Sequence, residues 1–130
     1  MADANQLIDE LRIKLEQKAL IEAELYFDLR QYQAAVLSGE NILKEYPETK
    51  NGEYIRFLLV KATYNLAENS VITKQQERYE NVKKYAGEFK KKYKKSQYRE
   101  EVTSMQKKSL RKIKSLEDER YQNKSSRGKS

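Results

Sequence analysis

Apolar residues recur along most of the chain at spacings of three and four, which is the pattern of amphipathic helices. In the first 30 residues the repeated apolar positions share one face: Leu11, Leu15, Ala19, Ala23 and Tyr26/Phe27. Asp3 stands where an N-cap is expected. The pattern predicts a long first helix that ends near Leu29, followed by a short break at Arg30-Gln31.

A second helix follows, with its apolar side at Tyr32, Ala35, Val36, Gly39, Ile42, Leu43 and Tyr46. It should stop at Tyr46, because Pro47 has no backbone N–H to continue it. A third helix over about 51–68 has its stripe at Ile55, Leu58, Leu59, Ala62 and Leu66.

Residues 69–73 predict a loop, and Thr73 with Gln76 three residues later forms a capping-box pattern. The fourth helix, about 74–93, has its stripe at Tyr79, Val82, Ala86, Phe89 and Tyr93. Ser96 can cap a fifth, which carries Val102, Met105, Leu110, Ile113 and Leu116. We predict one helical domain over 1–120 and a disordered basic tail over 121–130.

The chain also repeats itself at a distance of 47 residues. This shift superposes the following pairs: Tyr32 on Tyr79, Ala35 on Val82, Gly39 on Ala86, Ile42 on Phe89, Tyr46 on Tyr93, Thr49 on Ser96, Ile55 on Val102 and Leu58 on Met105. Size and polarity are kept at each of these pairs, although Pro47 falls on Lys94, Leu43 on Lys90 and Val36 on Lys83. A repeated helix pair is typical of an α-solenoid. We therefore predict an all-α, tetratricopeptide-like solenoid of about five antiparallel helices.

The first repeat follows the tetratricopeptide spacing at Ala23, Tyr26, Tyr32, Ala35, Gly39, Ile42/Leu43 and Pro47. Arg30 occupies the inter-helix turn, where a small residue is usual. In the second repeat "LAENSVITKQQERY" stands in place of "LRQY", which we interpret as an expanded turn.

Composition and charge narrow the function. The 130 residues include no cysteine and no histidine, so the chain lacks thiolate chemistry, the usual general base and the commonest metal ligand. Glu100-Glu101 lies among basic residues, and Glu22 and Glu24 point to different sides of a helix. We therefore expect no enzyme activity, no cofactor and no metal site.

The net charge of +7 is uneven. Residues 1–50 carry −4, residues 51–106 carry +5 and residues 107–130 carry +6. The densest segment is the lysine run 83–95, in which Tyr85, Phe89 and Tyr93 interleave with lysines. One interpretation is a solvated helix face whose aromatic residues pack inward. The others are a surface for an acidic partner, for anionic lipid headgroups or for nucleic acid. The segment 107–114 has the same alternatives.

Candidate partner-binding residues come from this run and from two further places. Tyr54 and Tyr64 could line a concave surface, where tyrosine is a good contact residue. Val71 and Ile72 are adjacent apolar residues in a polar segment, so they either tuck under the helices or dock a partner. The complete candidate set is Tyr54, Tyr64, Val71, Ile72, Lys90, Lys91, Lys92, Lys94 and Lys95.

The stretches "KLEQKALIEAELYF", "YQAAVLSGENILKEYP" and "FLLVKATYNLAENS", followed by "KQQERYENVKKYAGEFKKKY", resemble the later repeats of the BamD outer-membrane assembly lipoproteins. The resemblance covers about residues 7–105, and "FKKKYKKSQ" departs from it where the family has a proline. Family members carry a signal, a lipidated cysteine and further repeats before this region, which suggests that the chain is a C-terminal piece of a longer protein.

The resemblance implies a non-catalytic scaffold at the periplasmic face of the outer membrane, within the machinery that assembles β-barrels. The partner it implies is a BamA-like barrel-assembly protein, bound through its periplasmic domains. The alternative is an unrelated helical-repeat adaptor that binds acidic peptides or nucleic acid through its basic end. A solenoid that lacks a neighbouring repeat would also expose an apolar face, through which two copies could pair.

Overall fold

The computed structural model describes residues 3–127, with side chains from residue 3 to residue 123. Over these residues the chain forms five α-helices and no strand: α1 (Ala4–Asp28), α2 (Tyr32–Glu45), α3 (Gly52–Glu68), α4 (Ile72–Lys92) and α5 (Arg99–Arg127). The predicted all-α class and number of helices are confirmed. The chain divides into two compact units, Met1–Ala62 and Thr63–Ser130, called here the first and second unit.

In the first unit α1 and α2 form an antiparallel hairpin. Arg12 lies in the N-terminal half of α1, and its Nη2 donates to the carbonyl oxygen of Glu45, at the end of α2, over 3.0 Å. The core of this unit contains Ala23 of α1, Ile42 of α2, Tyr46 after α2, and Ile55 and Leu58 of α3, with Ala19, Leu20, Phe27 and Leu43 packed around them. Small residues on α1 and aromatic residues beside them allow this close approach.

The hairpin turn depends on Arg30. Its φ of 61° is the one positive φ of a non-glycine residue in the described chain. The N–H of Arg30 donates to Phe27 O over 3.0 Å, and the N–H of Gln31 donates to Tyr26 O over 2.8 Å. These two bonds define a Schellman motif, which normally has glycine at the left-handed position.

In the second unit α4 and α5 pack as an antiparallel pair, since Lys90 contacts Gln106 near the junction and Gln76 contacts Glu117 far from it. The buried positions of α5 are Val102, Met105, Ser109, Ile113 and Leu116. The prediction was wrong at Leu110, which is 43% exposed. The buried stripe passes through Ser109, which is fully buried, and not through its neighbour Leu110.

The 47-residue repeat is present in the backbone. Residues 45 and 92 end α2 and α4, and residues 52 and 99 begin α3 and α5. Tyr46 and Tyr93 leave their helices with φ/ψ of −125°/63° and −122°/69°. Each donates its N–H to the residue four positions earlier, Ile42 or Phe89, over 2.8 Å. Both junctions therefore have the same conformation.

A hydroxyl closes each junction. The Oγ atoms of Thr49 and Ser96 accept the backbone N–H of Asn51 and Tyr98, both over 3.0 Å. Because Lys94 stands where the first unit has Pro47, a proline is not required to end the helix here. The departure of "FKKKYKKSQ" from the proline pattern leaves the local fold unchanged.

The extra ten residues of the second unit lengthen its helices. An edge-to-face aromatic pair brackets the turn in each unit, Phe27 with Tyr32 at 5.5 Å and Tyr64 with Tyr79 at 6.4 Å between ring centroids. Between Tyr64 and Tyr79 the turn is still three residues, 69–71, and α4 begins at Ile72. The expanded turn and the capping box at Thr73 were therefore wrong; the N-cap is Val71, which makes no side-chain cap.

The apolar face predicted for α1 is only partly the buried one. Leu11 and Leu15 are 57% and 47% exposed, and Tyr26 is 38% exposed. Ala23 and Glu16 are buried, since the core contacts a face rotated away from the leucines. Of the tyrosines predicted to pack, Tyr46 and Tyr79 are buried, whereas Tyr32 and Tyr93 are half-buried.

The predicted boundary near residue 120 falls within α5, which continues through Tyr121 to Arg127. Glutamine, lysine and arginine are good helix formers, and each added residue gains one backbone hydrogen bond once the helix exists. Residues 128–130 of the predicted tail lie outside the described residues.

Replacing Arg30 by glycine should stabilise the first unit. Glycine adopts positive φ without the steric cost that Arg30 bears, and this gain exceeds the entropy that glycine adds to the unfolded chain. We expect the free energy of unfolding to rise by about 0.5–1 kcal/mol, measured by thermal unfolding followed by circular dichroism. The control Gln17→Gly, at an exposed position inside α1, should lower it by roughly the same amount. A lower midpoint for Arg30→Gly would contradict the left-handed turn.

Ser109→Ala should also stabilise the protein. Ser109 is fully buried, and its Oγ has no hydrogen-bond partner among the described residues. Removing an unsatisfied hydroxyl should raise the free energy of unfolding by about 1–2 kcal/mol. Ser115→Ala, at an exposed position of α5, measures the gain from helix propensity alone, about 0.5 kcal/mol. Equal effects of the two substitutions would show that Ser109 carries no desolvation cost.

Candidate functional site

The second unit concentrates the positive charge of the chain. It carries 19 basic and nine acidic side chains, whereas the first unit carries eight basic and eleven acidic ones. Among the residues whose side chains the structure describes, lysine and arginine are densest on the C-terminal part of α4, on the junction after it and on α5. We call this region the basic surface, defined by Lys91, Lys94, Lys95, Lys107 and Arg111.

Two lysines of the predicted run have structural roles. The Nζ of Lys90, which is half-buried, donates to Gln106 Oε1 over 3.0 Å and so ties α4 to α5. The Nζ of Lys92 lies 5.8 Å from the ring centroid of Tyr93. Both also lie in the last turn of α4, where cations interact favourably with the helix dipole. Arg99 adds to this by donating to Lys90 O over 3.2 Å, which satisfies a terminal carbonyl.

The remaining lysines of the run, Lys91, Lys94 and Lys95, are exposed. Lys91 also borders a shallow groove on α4 together with Glu80, Lys83, Lys84, Gly87, Glu88 and Gln106. Because Glu80 and Glu88 alternate with the lysines, this groove has mixed charge. One interpretation of the run was a solvated helix face whose aromatic residues pack inward. Phe89 is fully buried, as this interpretation requires, whereas Tyr85 and Tyr93 are half-buried.

The outer face of α5 contributes residues that the candidate set did not include. A shallow groove of about 420 Å³ is lined by Arg99, Glu100, Thr103, Ser104, Lys107, Lys108 and Arg111. Lys107 and Arg111 are four residues apart, which places them one above the other on a helix. The four-residue spacing of Lys107 and Arg111 in the sequence could have indicated this basic face of α5.

Val71 and Ile72 form the tip between α3 and α4 and are 65% and 66% exposed. Polar bonds hold the turn beneath them. Asn69 Nδ2 donates to Asn65 O over 2.8 Å, and Gln75 Nε2 donates to Ser70 O over 3.2 Å. The tip therefore presents two apolar side chains on a well-bonded turn. The alternative that they tuck under the helices is excluded by their exposure.

The tip and the lysine run are separate surfaces. Ile72 begins α4 and Lys92 ends it, so the helix places them roughly 30 Å apart. A partner that contacts both must extend along the whole of α4, whereas a smaller one contacts only one of them.

The two candidate tyrosines of α3 are half-buried. Tyr64 packs edge-to-face on Tyr79, and burial, together with a hydrogen bond to Glu68, raises the pKa of its hydroxyl. Burial also raises the pKa of Tyr79. Tyr64 is therefore a packing residue, although part of its surface is exposed.

A polar cluster in the first unit was not anticipated from the sequence. Thr49 Oγ1 donates to Glu16 Oε1, and Asn51 Nδ2 lies 3.5 Å from the same oxygen. Arg12 pairs with Glu48 over 3.0 Å and lies 5.1 Å from the ring centroid of Tyr46. A backbone hydrogen bond at Glu48 and the Arg12 guanidinium lower the pKa of Glu48. These contacts fix α1 to the junction that follows α2, which is a structural role.

No protein-family model matches the chain, and no relative was found among curated proteins. The resemblance to the BamD lipoproteins therefore remains a hypothesis. Within residues 3–127, no group of three or more acidic residues is arranged to hold a metal ion. No helix in this part of the chain is long and apolar enough to cross a bilayer.

The double variant Val71→Asp/Ile72→Asp should keep or slightly raise the melting temperature. Both side chains are exposed, and aspartate at the N-cap and first position of α4 supplies the cap that Val71 lacks. We expect a gain of about 1 kcal/mol in the free energy of unfolding, measured by thermal denaturation. A collapsed melting temperature would mean that the pair belongs to the core.

Proposed function

We propose that this protein is a non-catalytic helical-repeat scaffold that binds partner proteins through its second unit. The observation that carries the proposal is the basic surface. It lies on a unit whose sequence has ten net positive charges and whose own contacts use only part of the lysines. A rigid helical pair with an exposed cationic face and an exposed apolar tip is suited to docking, because it pays little ordering entropy on binding.

We further propose that the partner surface is acidic at the basic surface and apolar at the tip. Exposed lysines such as Lys94 and Lys95 attract an acidic partner over several ångströms and raise the association rate, but contribute little affinity each. Val71 and Ile72 supply the desolvated contact that holds the complex. Mutations at the two places should therefore affect different kinetic constants.

The resemblance to BamD extends the proposal to a place of action. On that basis the chain is part of the machinery that assembles β-barrels, at the periplasmic face of the outer membrane, and binds the periplasmic domains of a BamA-like protein. The distinctive part of the resemblance, "LAENS…K…ERY", includes the lengthened hairpin that carries the tip.

The alternative is an adaptor for acidic peptides or nucleic acid. It is favoured by the groove on α5, where Arg99, Lys107 and Arg111 follow the helix at a spacing suited to phosphates or carboxylates. Binding of nucleic acid releases counterions and is therefore steeply dependent on salt.

The test is biolayer interferometry with immobilised periplasmic domains of a barrel-assembly protein as the probe. We expect Lys94→Glu/Lys95→Glu to lower the association rate about tenfold at low salt. Val71→Asp/Ile72→Asp should mainly raise the dissociation rate. The matched control Lys44→Glu/Lys50→Glu makes the same change of charge in the first unit and should leave both rates unchanged.

A second arm uses a single-stranded oligonucleotide and a poly-glutamate peptide as probes. If the chain binds these and not the periplasmic domains, the adaptor is correct and the outer-membrane assignment is wrong. If it binds none of the probes, the basic surface is not a docking surface and the proposal fails.

A further inference from the structure

The side of α1 that faces away from the core is apolar except for two charged residues near its middle. The exposed residues of this outer stripe recur at intervals of three and four: Ile8, Leu11, Leu15, Lys18, Glu22 and Leu25, followed by Leu29 at the C-cap of the helix. Leu7 and Ile21 flank the stripe and are 56% and 66% exposed. The core contacts of α1, at Ala23 and Phe27, lie on the other side. The first unit therefore leaves a complete heptad seam without a partner inside the unit.

We propose that the outer stripe binds the outer stripe of a second copy of this chain, in an antiparallel coiled coil with a two-fold axis beside Ile21. The stripe places Ile8, Leu15, Glu22 and Leu29 at one core position of the heptad, and Leu11, Lys18 and Leu25 at the other. In an antiparallel pair each position of one kind faces a position of the other kind on the second helix.

Charge and apolar character specify the register. When Leu15 faces Leu25 of the second copy, Leu29 faces Leu11, and the one polar layer pairs Glu22 with Lys18. The same register brings Lys14 near Asp28 and places the two Ile21 side chains together at the axis. Lys14, Lys18, Glu22 and Asp28 are all exposed. Leu11, Leu15, Leu25 and Leu29 then meet one another, and Lys18 and Glu22 each meet the opposite charge. Ile8 lies beyond the overlap of the two helices.

A parallel pair would not satisfy the same residues. It would place Lys18 against Lys18 and Glu22 against Glu22, and like charges in a core layer are disfavoured. A polar layer in an otherwise apolar seam commonly fixes orientation in this way. The exposed apolar residues would bury on the order of 1,500 Å² over the two copies, which is the size of a stable specific interface.

The first test is the oligomeric state of the full chain by sedimentation equilibrium, with charge variants at the polar layer. We expect Lys18→Glu and Glu22→Lys each to weaken the dimer about tenfold, since each creates two like-charge contacts. The double variant Lys18→Glu/Glu22→Lys restores the opposite charges across the axis and should return the dimer to near its original affinity. These positions are exposed, so the helical content by circular dichroism should be unchanged.

The second test reads orientation directly. The chain has no cysteine, so Ile21→Cys introduces a single thiol beside the axis, and a short bismaleimide should join two copies efficiently. Leu7→Cys is the matched control, because the two thiols would lie roughly 40 Å apart in the antiparallel pair and close together in a parallel one.

A chain that stays monomeric at high micromolar concentration would overturn the proposal, as would cross-linking at Leu7→Cys or a double charge variant that fails to recover. A monomer that binds the periplasmic domains would support the scaffold function while rejecting this interface. A dimer that ignores those domains would do the reverse.

Discussion

The fold depends on the junction in which a tyrosine leaves the end of a helix and a hydroxyl residue three positions later closes the turn. Tyr46 with Thr49 and Tyr93 with Ser96 make the same backbone hydrogen bonds, and helices restart at equivalent residues, 52 and 99. A helix can end in water at little cost, but to restart it at a fixed angle the chain needs polar groups that replace the lost backbone bonds. The aromatic ring supplies the apolar contact at the same place. These two contacts together end one helix and begin the next at equivalent residues of the two junctions.

The period of the helices could be predicted from the sequence, but the face that each buries could not always be. Spacings of three and four predicted the five helices, and the 47-residue shift predicted the equivalence of the two junctions. They did not distinguish the core side of α1 from its outer side, because leucines occupy one and small residues the other. For the same reason the prediction placed Leu110 in the buried stripe instead of Ser109. The hydrophobicity of a side chain does not by itself show which face of the helix is buried. The turn at Arg30 was located correctly, but its left-handed conformation has no signal without a glycine.

The candidate site was predictable as a region and not as a set of residues. The lysine run was evident in the sequence, but some of its lysines make contacts within the unit. Lys90 bridges two helices and Lys92 lies beside an aromatic ring, so neither indicates a partner by itself. The exposed Lys94 and Lys95, the groove of α5 and the apolar tip are what remain for recognition. The polar cluster at Glu16 was unpredictable because its members are more than 30 residues apart and meet only through the junction.

The ten residues that lengthen the second hairpin are divided between its two helices, and seven of them precede Tyr79 on α4. Seven residues are very nearly two full turns, so Tyr79 and the residues after it keep the direction they would have in a short hairpin. Two added turns of α4 therefore extend the reach of Val71 and Ile72 while the packed part of the helix keeps its orientation. The distance that the tip extends and the packing of the hairpin are therefore separate properties of this architecture.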